Sequence, residues 1–428
     1  MARRRYHGAV ARAGGALLER LAFRDWRAIT ALFAASTLLE SLAIGHLTAF
    51  TPLFLRDDLR LPESDIGPWT GLLTAATFAV AFPLAPLWGS LAERYSRKLI
   101  IVRSQYIEAV AYSLSAAAPD LAWLFFARVI LGLTLGNIAI IIATQSLFTP
   151  DRRMASAIAV VQAANPIAVS LGPPIGALLI PTIGIRGLML LDGLGCLLAA
   201  VLITLFMPEP PGRNRRLAVI ANMRQSIDMV WRRPVLRWNY LSWYLTRGAM
   251  GIIDTYLPVR IAELVPRDPA PAIGLVLGVY GVLTTFATWL TGRFVDRIGA
   301  ARLFWPAMVV AALAATTTAV SPVLWLVAIA TWLRSVPVAL TGTVLYAHLA
   351  QVVSREERAP VMSLTPVPRN FAQFSLPLVA SAAANVSTAG ALLVGAAVYA
   401  VAAWIGWLLK QSTPLPLPPL SEDDQLTQ

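Results

Sequence analysis

Twelve stretches of mostly apolar residues, each long enough to cross a membrane, recur along the chain and restrict its fold more than any other feature. A helix needs about 20 such residues to span the hydrocarbon core of a bilayer. Only 14% of the 428 residues are charged, whereas soluble domains carry about 25%, so lipid must solvate most of the surface. We therefore predict an all-α membrane protein. Its twelve spans are predicted at about 28–52, 66–90, 98–118, 120–148, 157–181, 185–207, 238–262, 272–292, 303–321, 323–350, 361–386 and 389–409.

The distribution of Lys and Arg predicts how these spans are oriented. Basic residues concentrate in the cytoplasmic segments of membrane proteins. If the N-terminus is cytoplasmic, 25 of the 35 Lys and Arg lie in inward segments, five lie in outward loops and five lie within the spans. We therefore expect both termini in the cytoplasm. The same distribution accounts for the net charge of +12, so nucleic acid is not an expected partner.

The cysteine and histidine content excludes several classes of site. Cys196 is the only cysteine and lies in an apolar run, so neither a disulfide framework nor a thiolate metal site is expected. His7, His46 and His348 are too far apart in sequence to indicate a metal cluster. The chain has no G-x-x-x-x-G-K-S/T loop, so direct coupling to ATP is unsupported. We predict no cofactor and no enzymatic activity.

One long polar interruption divides the chain into two groups of six spans. It begins with Pro208, Pro210 and Pro211, and residues 216–231 have the pattern of an amphipathic helix on the membrane surface. The predicted segments are a cytoplasmic N-terminal segment (1–27), an N-terminal bundle (28–207), a cytoplasmic linker (208–237), a C-terminal bundle (238–409) and a disordered cytoplasmic tail (410–428).

The two halves also repeat one another. Residues 45–52 (GHLTAFTP) of span one align with residues 251–258 (GIIDTYLP) of span seven at an offset of 206. Arg128 in span four aligns with Arg334 in span ten at the same offset. A duplicated six-span unit is typical of transporters that rock two bundles about a site near the midplane.

Two sequence motifs accompany this repeat. The loop after span two reads GSLAERYSRK over residues 89–98, and a shorter copy, GRFVDR, follows span eight at residues 292–297. Span five reads LGPPIGA over residues 171–177. Proline interrupts the hydrogen-bond ladder of a helix and glycine permits close helix contact, so span five is predicted to be kinked and tightly packed.

These motifs resemble signatures of the major facilitator superfamily, and most of all those of its twelve-helix drug/proton antiporters. The loop is similar to G-x-L-A-D-R-x-G-R-K, with Glu93 in place of aspartate and Ser96 in place of glycine. Span five is similar to the exporter signature G-x-x-x-G-P-x-x-G-G, which Gly172, Pro173 and Gly176 match. The resemblance covers nearly the whole chain. It implies a monomeric secondary transporter of small molecules in a bacterial inner membrane, and export rather than import.

The resemblance also implies a conformational lock on the cytoplasmic side. In the family, the acid at the position of Glu93 faces the start of span eleven, where the helix dipole favours negative charge. This contact closes the cytoplasmic side and breaks as the halves rock. The alternative is a turn whose charges only set topology. The residues assigned to the lock are Gly89, Glu93, Arg94, Arg97, Lys98, Asp296 and Arg297.

Arg128 lies near the bilayer centre, where a guanidinium needs a partner or a cavity. The resemblance implies that it influences proton movement. A structural arginine bonded to span one or span five is the alternative.

For the motif at Gly172 to Gly176, the alternative to an exporter signature is an ordinary packing kink.

Four acids within the predicted spans are candidates for proton coupling, namely Glu40, Glu108, Asp192 and Asp254. Burial disfavours the charged form of a carboxyl, so an acid that is neutral facing one side and charged facing the other can couple transport to protons. Related exporters carry acids in span one, which makes Glu40 the first choice. Asp254, in the pseudo-symmetric span seven, is the second. Alternatively, these acids are fixed partners of arginines within the spans.

Polar and aromatic residues near the midplane predict a substrate cavity between the halves. An aromatic, mostly apolar cavity with few polar anchors suits lipophilic or cationic compounds. The residues assigned to the cavity are Phe50, Asn137, Asn165, Tyr244, Tyr256, Tyr280, Asn370 and Gln373.

We therefore predict a proton-coupled exporter of small amphipathic compounds or drugs that works by alternating access in the lipid bilayer. Three alternatives are open. The first is an exporter of one physiological compound, such as a siderophore, sugar or lipid. The second is an importer or symporter, and the third is a membrane sensor that transports nothing.

Overall fold

The computed structural model describes residues 22–23, 25–94, 96–134, 137–209, 228–354, 357, 361–362 and 364–412. Within these ranges the side chains are described except at 85–94, 138–139, 151, 292–293, 296 and 300–301. All the regular elements in this part of the chain are helical.

The described helices make twelve crossings in the order and close to the positions predicted. Span one ends in a π-helical turn, Phe54–Asp58. The helices are Trp26–Leu53 (span one), Glu63–Arg94 (two), Arg97–Ala116 (three), Leu121–Gly132 with Asn137–Phe148 (four), Met154–Phe206 (five and six), Pro234–Leu264 (seven), Pro269–Ile298 (eight), Ala300–Val320 (nine), Leu324–Val352 (ten), Pro366–Ala384 (eleven) and Thr388–Ser412 (twelve).

Seven of the described helices are long and apolar enough to cross a membrane by length and composition alone. One of the seven, Met154–Phe206, contains two crossings, and span four is divided into two shorter helices. Spans three and seven are less apolar because they carry polar side chains that are buried inside the protein. Span eleven is less apolar because it carries Arg369, Asn370 and Gln373, which are half-buried.

Local sequence accounts for where several spans begin. Asp25, Ser96 and Asp120 precede spans one, three and four, and each side chain accepts a hydrogen bond from a backbone N–H of the first turn. Such caps satisfy donors that a helix start leaves unpaired. Spans seven, eight and eleven begin with proline, whose fixed φ suits the first helical position.

Spans five and six are joined by a single non-helical residue. A straight helix as long as Met154–Phe206 would measure about 80 Å, far more than the roughly 30 Å of a bilayer core. The backbone instead breaks at Gly184, where φ is 70° and ψ is 175°. Val161 and Ile203 therefore meet in one hydrophobic cluster beside Ile29. The chain turns back at the glycine because an L side chain rarely adopts this backbone conformation.

Span four is interrupted, whereas the sequence predicted one continuous span over 120–148. The first helix ends at Gly132, and Thr134 hydrogen-bonds the carbonyl oxygen of Leu131. Arg103 of span three donates to the carbonyl oxygen of Leu133. These bonds satisfy part of the backbone that the break frees inside the membrane region.

The ends of the predicted segments are corrected in two places. Span one begins at Trp26, inside the predicted N-terminal segment, and span twelve continues to Ser412, so residues 410–412 are helical rather than part of a disordered tail. The rest of that tail lies outside the described residues, as does most of the predicted amphipathic helix over 216–231. Residues 228–231 of that helix are described and are helical.

With twelve crossings, the start of span one and the end of span twelve lie on the same side of the protein. We call this side the terminal face and the opposite side the far face. Spans one to six pack chiefly on one another, as do spans seven to twelve. The two halves contact each other mainly through spans two and eleven and through spans five and eight.

Candidate functional site: a central cavity between the halves

A cavity of about 620 Å³ lies between the two halves. It is lined by spans one to five of the N-terminal half and by spans seven, eight, ten, eleven and twelve of the C-terminal half. Along span eight, the lining residues Tyr280 and Gly281 are buried, whereas Thr285 and Thr288, nearer the terminal face, are exposed. The cavity is therefore open towards the terminal face.

The halves meet on the far face through spans two and eleven. Ser381 Oγ donates a hydrogen bond to the carbonyl oxygen of Pro68 at 2.8 Å. Tyr256 of span seven packs over Gly71, so close that a Cβ added at Gly71 would collide with the phenol oxygen. Gly67 faces Ala384 in the same contact.

The motif of span five forms the second contact on this side. Span eight presents three glycines to it. A Cβ added at Gly274 would lie 2.7 Å from Ala177 Cβ, one at Gly281 would lie 2.5 Å from Ser170 Cα, and one at Gly278 would collide with the ring of Pro174. The motif therefore packs against the opposite half, and glycine spacing in span eight makes the approach possible.

The motif also contacts its own half, through two of the three residues that match the exporter signature, Gly172, Pro173 and Gly176. Gly172 lies against Gly45 of span one, whose added Cβ would be 3.7 Å from Gly172 Cα. Gly176 leaves room for the ring of Phe50. Pro173 lines the cavity, and its carbonyl oxygen faces Gly274. These three residues thus contact span one, the cavity and span eight.

Three of the eight residues assigned to the cavity from the sequence line it, namely Asn165, Tyr280 and Gln373. The others are not among the described residues of its lining. Phe50 packs beneath Gly176, and Tyr256 closes the far face over Gly71. Tyr244 bonds Ser375 Oγ at 2.9 Å, and Asn137 donates to Glu40. Asn370 is half-buried outside the lining.

Both pseudo-symmetric arginines are buried and bond to the first span of their own half. Arg128 Nη2 donates to Thr51 Oγ1 at 2.8 Å, and Arg334 Nη2 lies 2.8 Å from Asp254 Oδ1. Arg334 also lies over the ring of Tyr280, 4.8 Å from its centroid. Of the four candidate acids, only Asp254 forms an ion pair with an arginine among the described residues.

Glu40 and Glu108 form a buried acidic pair in the N-terminal half. Glu40 is 3% exposed and accepts hydrogen bonds from Gln105 Nε2 at 3.0 Å and Asn137 Nδ2 at 3.3 Å. Glu108 is 2% exposed, lines the cavity and lies close enough to Glu40 for their charges to interact. Oε2 of Glu108 has no hydrogen-bond partner among the described residues. Asn137 therefore belongs to this acidic pair and not to the cavity wall.

Asp192 pairs with a residue that sequence reasoning set aside. His46 Nδ1 lies 2.7 Å from Asp192 Oδ1, and the two side chains are 6% and 5% exposed. This pair links span one to span six beside Gly176. The position of His46 within an apolar span was the available signal, because a buried imidazole needs a polar partner.

Arg247 and Arg369 line the cavity in the C-terminal half. Arg247 Nη1 contacts Met250 Sδ at 3.3 Å. Arg369 Nη1 donates to Tyr346 Oη at 3.5 Å, and its guanidinium lies over the ring of Trp243. Neither arginine forms an ion pair within the described part of the chain. The sequence treated both only as partners for acids.

The residues assigned to the lock lie on the terminal face. Arg97 Nη1 donates to the carbonyl oxygen of Ala143, and Lys98 Nζ donates to that of Met207. Both contacts stay within the N-terminal half. Gly89, Glu93 and Arg94 belong to span two and Asp296 to span eight, but their side chains lie outside the description. Arg297 is exposed at the end of span eight.

A family model described as Major Facilitator Superfamily matches residues 31–265 and 268–427. The chain belongs to the major facilitator superfamily. Membership in this superfamily confirms the predicted all-α transporter fold and the prediction of a transporter rather than an enzyme. As a member, the chain works in a membrane and binds small-molecule substrates.

Two curated members of the superfamily illustrate the similarity. The multidrug resistance protein MdtG of Citrobacter koseri is 24% identical over 294 residues, which are 68% of this chain and 71% of that protein. The multi-drug resistance efflux pump PmrA of Streptococcus pneumoniae is 24% identical over 272 residues, which are 62% of this chain and 66% of the pump. The chain is thus similar to bacterial multidrug efflux proteins.

Solved structures of the superfamily share the fold. A bacterial homologue of the human lysosomal transporter Spinster superposes with a TM-score of 0.75 at 14% identity, covering 90% of this chain and 97% of that one. The nucleoside transporter NupG superposes with a TM-score of 0.73 at 11% identity, covering 90% of this chain and 100% of that one.

Proposed function

We propose that the protein is a proton-coupled exporter of small amphipathic compounds in a bacterial inner membrane, with both termini in the cytoplasm. The observation that carries the proposal is the central cavity, which contacts between the halves close on the far face and which opens on the terminal face. With the termini in the cytoplasm, this arrangement takes up a compound from inside the cell. Similarity to bacterial multidrug efflux proteins supports the direction.

Transport requires the contacts on the far face to separate while the terminal face closes. The contact of span five with the glycines of span eight is tight but mostly apolar, so it can separate without stranding charges. On the terminal face, we propose that Gly89, Glu93, Arg94, Arg97, Lys98, Asp296 and Arg297 form the lock of the opposite state.

Proton coupling is assigned to the pair of Glu108 and Glu40. Among the described residues neither carboxyl forms an ion pair. Two carboxylates buried near each other are costly to ionise together, so the pair is suited to hold a proton. Glu108 faces the cavity and is the member that substrate or water reaches. Glu40, behind it, is held by the amides of Gln105 and Asn137. Arg128, Asp192 and Asp254 have fixed partners and are proposed to act less directly.

Reconstitution into liposomes tests this assignment. With an imposed pH gradient, the wild-type protein is expected to move a transported compound against its gradient and to move protons in the opposite direction. Glu108→Gln is expected to abolish uphill transport while downhill exchange persists, because the amide keeps the volume but cannot titrate. Glu63→Gln, which changes an exposed acid at the start of span two, serves as the matched control and should transport normally.

Coupled uphill transport by Glu108→Gln would remove this residue from the mechanism. A substrate that neither drives nor follows proton movement in the wild type would overturn coupling altogether. A compound-sensitivity screen in an efflux-deficient bacterial host supplies the substrate. Protection against many unrelated compounds supports multidrug export, protection against one supports a specific exporter, and increased sensitivity indicates an importer.

A further inference from the structure

The cavity lining is unevenly charged. Arg128, Arg247 and Arg369 line it together with the acids Glu108 and Asp254. The Asp254 carboxylate is bonded to Arg334, and Arg128 and Glu108 lie in the opposite half. Positive charge is therefore concentrated at Arg247 and Arg369, on spans seven and eleven.

These two guanidinium groups retain capacity to bind a ligand. Arg369 lies over the ring of Trp243, which is one helical turn from Arg247 on span seven, so both guanidinium groups belong to the same part of the cavity wall. Nε of each is buried without a hydrogen-bond partner among the described residues, and the side chains are half-buried at the cavity wall. A cation in a low-dielectric site is costly unless it is paired. Bringing two together raises that cost. The nearby Asp254 carboxylate is already bonded to Arg334 and offsets the cost only in part, so an incoming anion would lower it further.

We propose that Arg247 and Arg369 form an anion-binding site for the carboxylate or other oxoanion group of an amphipathic substrate. The planar guanidinium fork matches the two oxygens of a carboxylate. Trp243, beneath Arg369, and Tyr280 supply aromatic surface in the same wall for the apolar part of the compound. Gln373, one turn beyond Arg369, adds an amide to the lining. The inference rests on the proposed function, because it names the compound class that the cavity takes up.

Equilibrium binding to the purified full-length protein in detergent tests the site without any proton gradient. The probes are aromatic acids and their uncharged amides in matched pairs, beginning with naphthalene-1-acetate and naphthalene-1-acetamide and extended to larger ring systems. Within at least one pair, the acid is expected to bind about tenfold more tightly than the amide or better, as charge-assisted hydrogen bonds allow. Arg247→Gln and Arg369→Gln should each remove this preference and leave amide binding within about twofold.

Two further variants separate recognition from folding. Arg247→Lys keeps the charge but loses the fork, so an intermediate preference is expected. Arg237→Gln removes an exposed arginine of the same helix and should bind like the wild type. The proposal is overturned if no pair shows a preference for the acid, or if the preference survives in both glutamine variants. If the wild-type protein showed no proton coupling in liposomes but still bound the acids more tightly than the amides, that result would count against the proposed function and not against the anion-binding site.

Discussion

At the scale of single residues, the buried charges of this protein are satisfied in three different ways. Arg334 is paired with Asp254, Arg128 is bonded to a neutral hydroxyl of Thr51, and His46 is paired with Asp192. Glu108 and Arg247 line the cavity and form no ion pair among the described residues. These two cavity-lining groups are the ones that we assign to proton and anion binding.

The pair of His46 and Asp192 leads to a prediction about stability. His46→Leu should lower the thermal stability of the detergent-solubilised protein, because it leaves the Asp192 carboxyl buried without a donor, at a cost of about 1–3 kcal/mol. Asp192→Asn should be milder, since its amide oxygen can still accept from Nδ1. Thermal unfolding followed by size-exclusion chromatography measures both.

The double variant His46→Leu with Asp192→Leu is the matched control for this pair. It removes both polar groups and should recover part of the loss seen for His46→Leu alone. Equal destabilisation by His46→Leu and Asp192→Asn would show that the pairing does not hold the two spans together.

Residue roles were less predictable from sequence than residue positions. The depth of Glu40, Glu108, Asp192 and Asp254 along their spans followed from counting residues, but their partners depend on how helices are rotated about their axes. The alternative in which these acids pair with arginines within the spans applies, among the described residues, only to Asp254. The roles of aromatic residues were harder still to predict. Phe50 and Tyr256 lie in contacts between helices, and a periodic pattern does not distinguish such positions from a cavity wall.

At the scale of helices, the contact between spans five and eight is the feature that sequence reasoning found only in part. The glycines and prolines of span five indicated a kink and close packing. Their partner surface, Gly274, Gly278 and Gly281, follows the helical spacing of one face and was readable from the sequence, but nothing in the sequence states which helix it meets. The break in span four was also missed, because apolar composition continues through it.

Substitution in span eight tests whether this contact closes the far face. Gly278→Ala places a Cβ into the rigid ring of Pro174, so the helices must move apart. In a Cys196→Ala background, a Thr70→Cys reporter in the cavity should react with a membrane-impermeant thiol reagent several-fold faster from the far side when Gly278→Ala is added. The labelling rate of this reporter measures how completely the far face is closed.

Gly342→Ala is the control for this experiment, since a Cβ there meets nothing within 4 Å. Its labelling rate should match that of the reporter background. An unchanged rate for Gly278→Ala would mean that the far face closes without the contact between spans five and eight.

At the scale of the whole molecule, the number of spans, their order and the two-half arrangement could all be predicted from apolar runs and the internal repeat. The solvent imposes these features, because every crossing in lipid must be a helix of sufficient length. The open or closed state of each face could not be predicted, since both states use the same helices and differ in how the halves meet.

Orientation in the membrane is predicted by the charge distribution and can be measured directly. In the Cys196→Ala background, Arg60→Cys in the exposed loop between spans one and two should be labelled from outside intact cells. Arg152→Cys, exposed on the terminal face, should be labelled only after the membrane is permeabilised. The reverse pattern would place the open end of the cavity outside the cell and would favour uptake over export.

The one-residue turn at Gly184 has a consequence for how the chain is made. Spans five and six are joined by one residue and not by an aqueous loop that would let them insert one after the other. We therefore expect the two spans to leave the translocon together as a helical hairpin. A substitution that disfavours the turn would then first reduce the amount of protein that reaches the membrane, because the chain would be degraded during biosynthesis before any defect in transport could be measured.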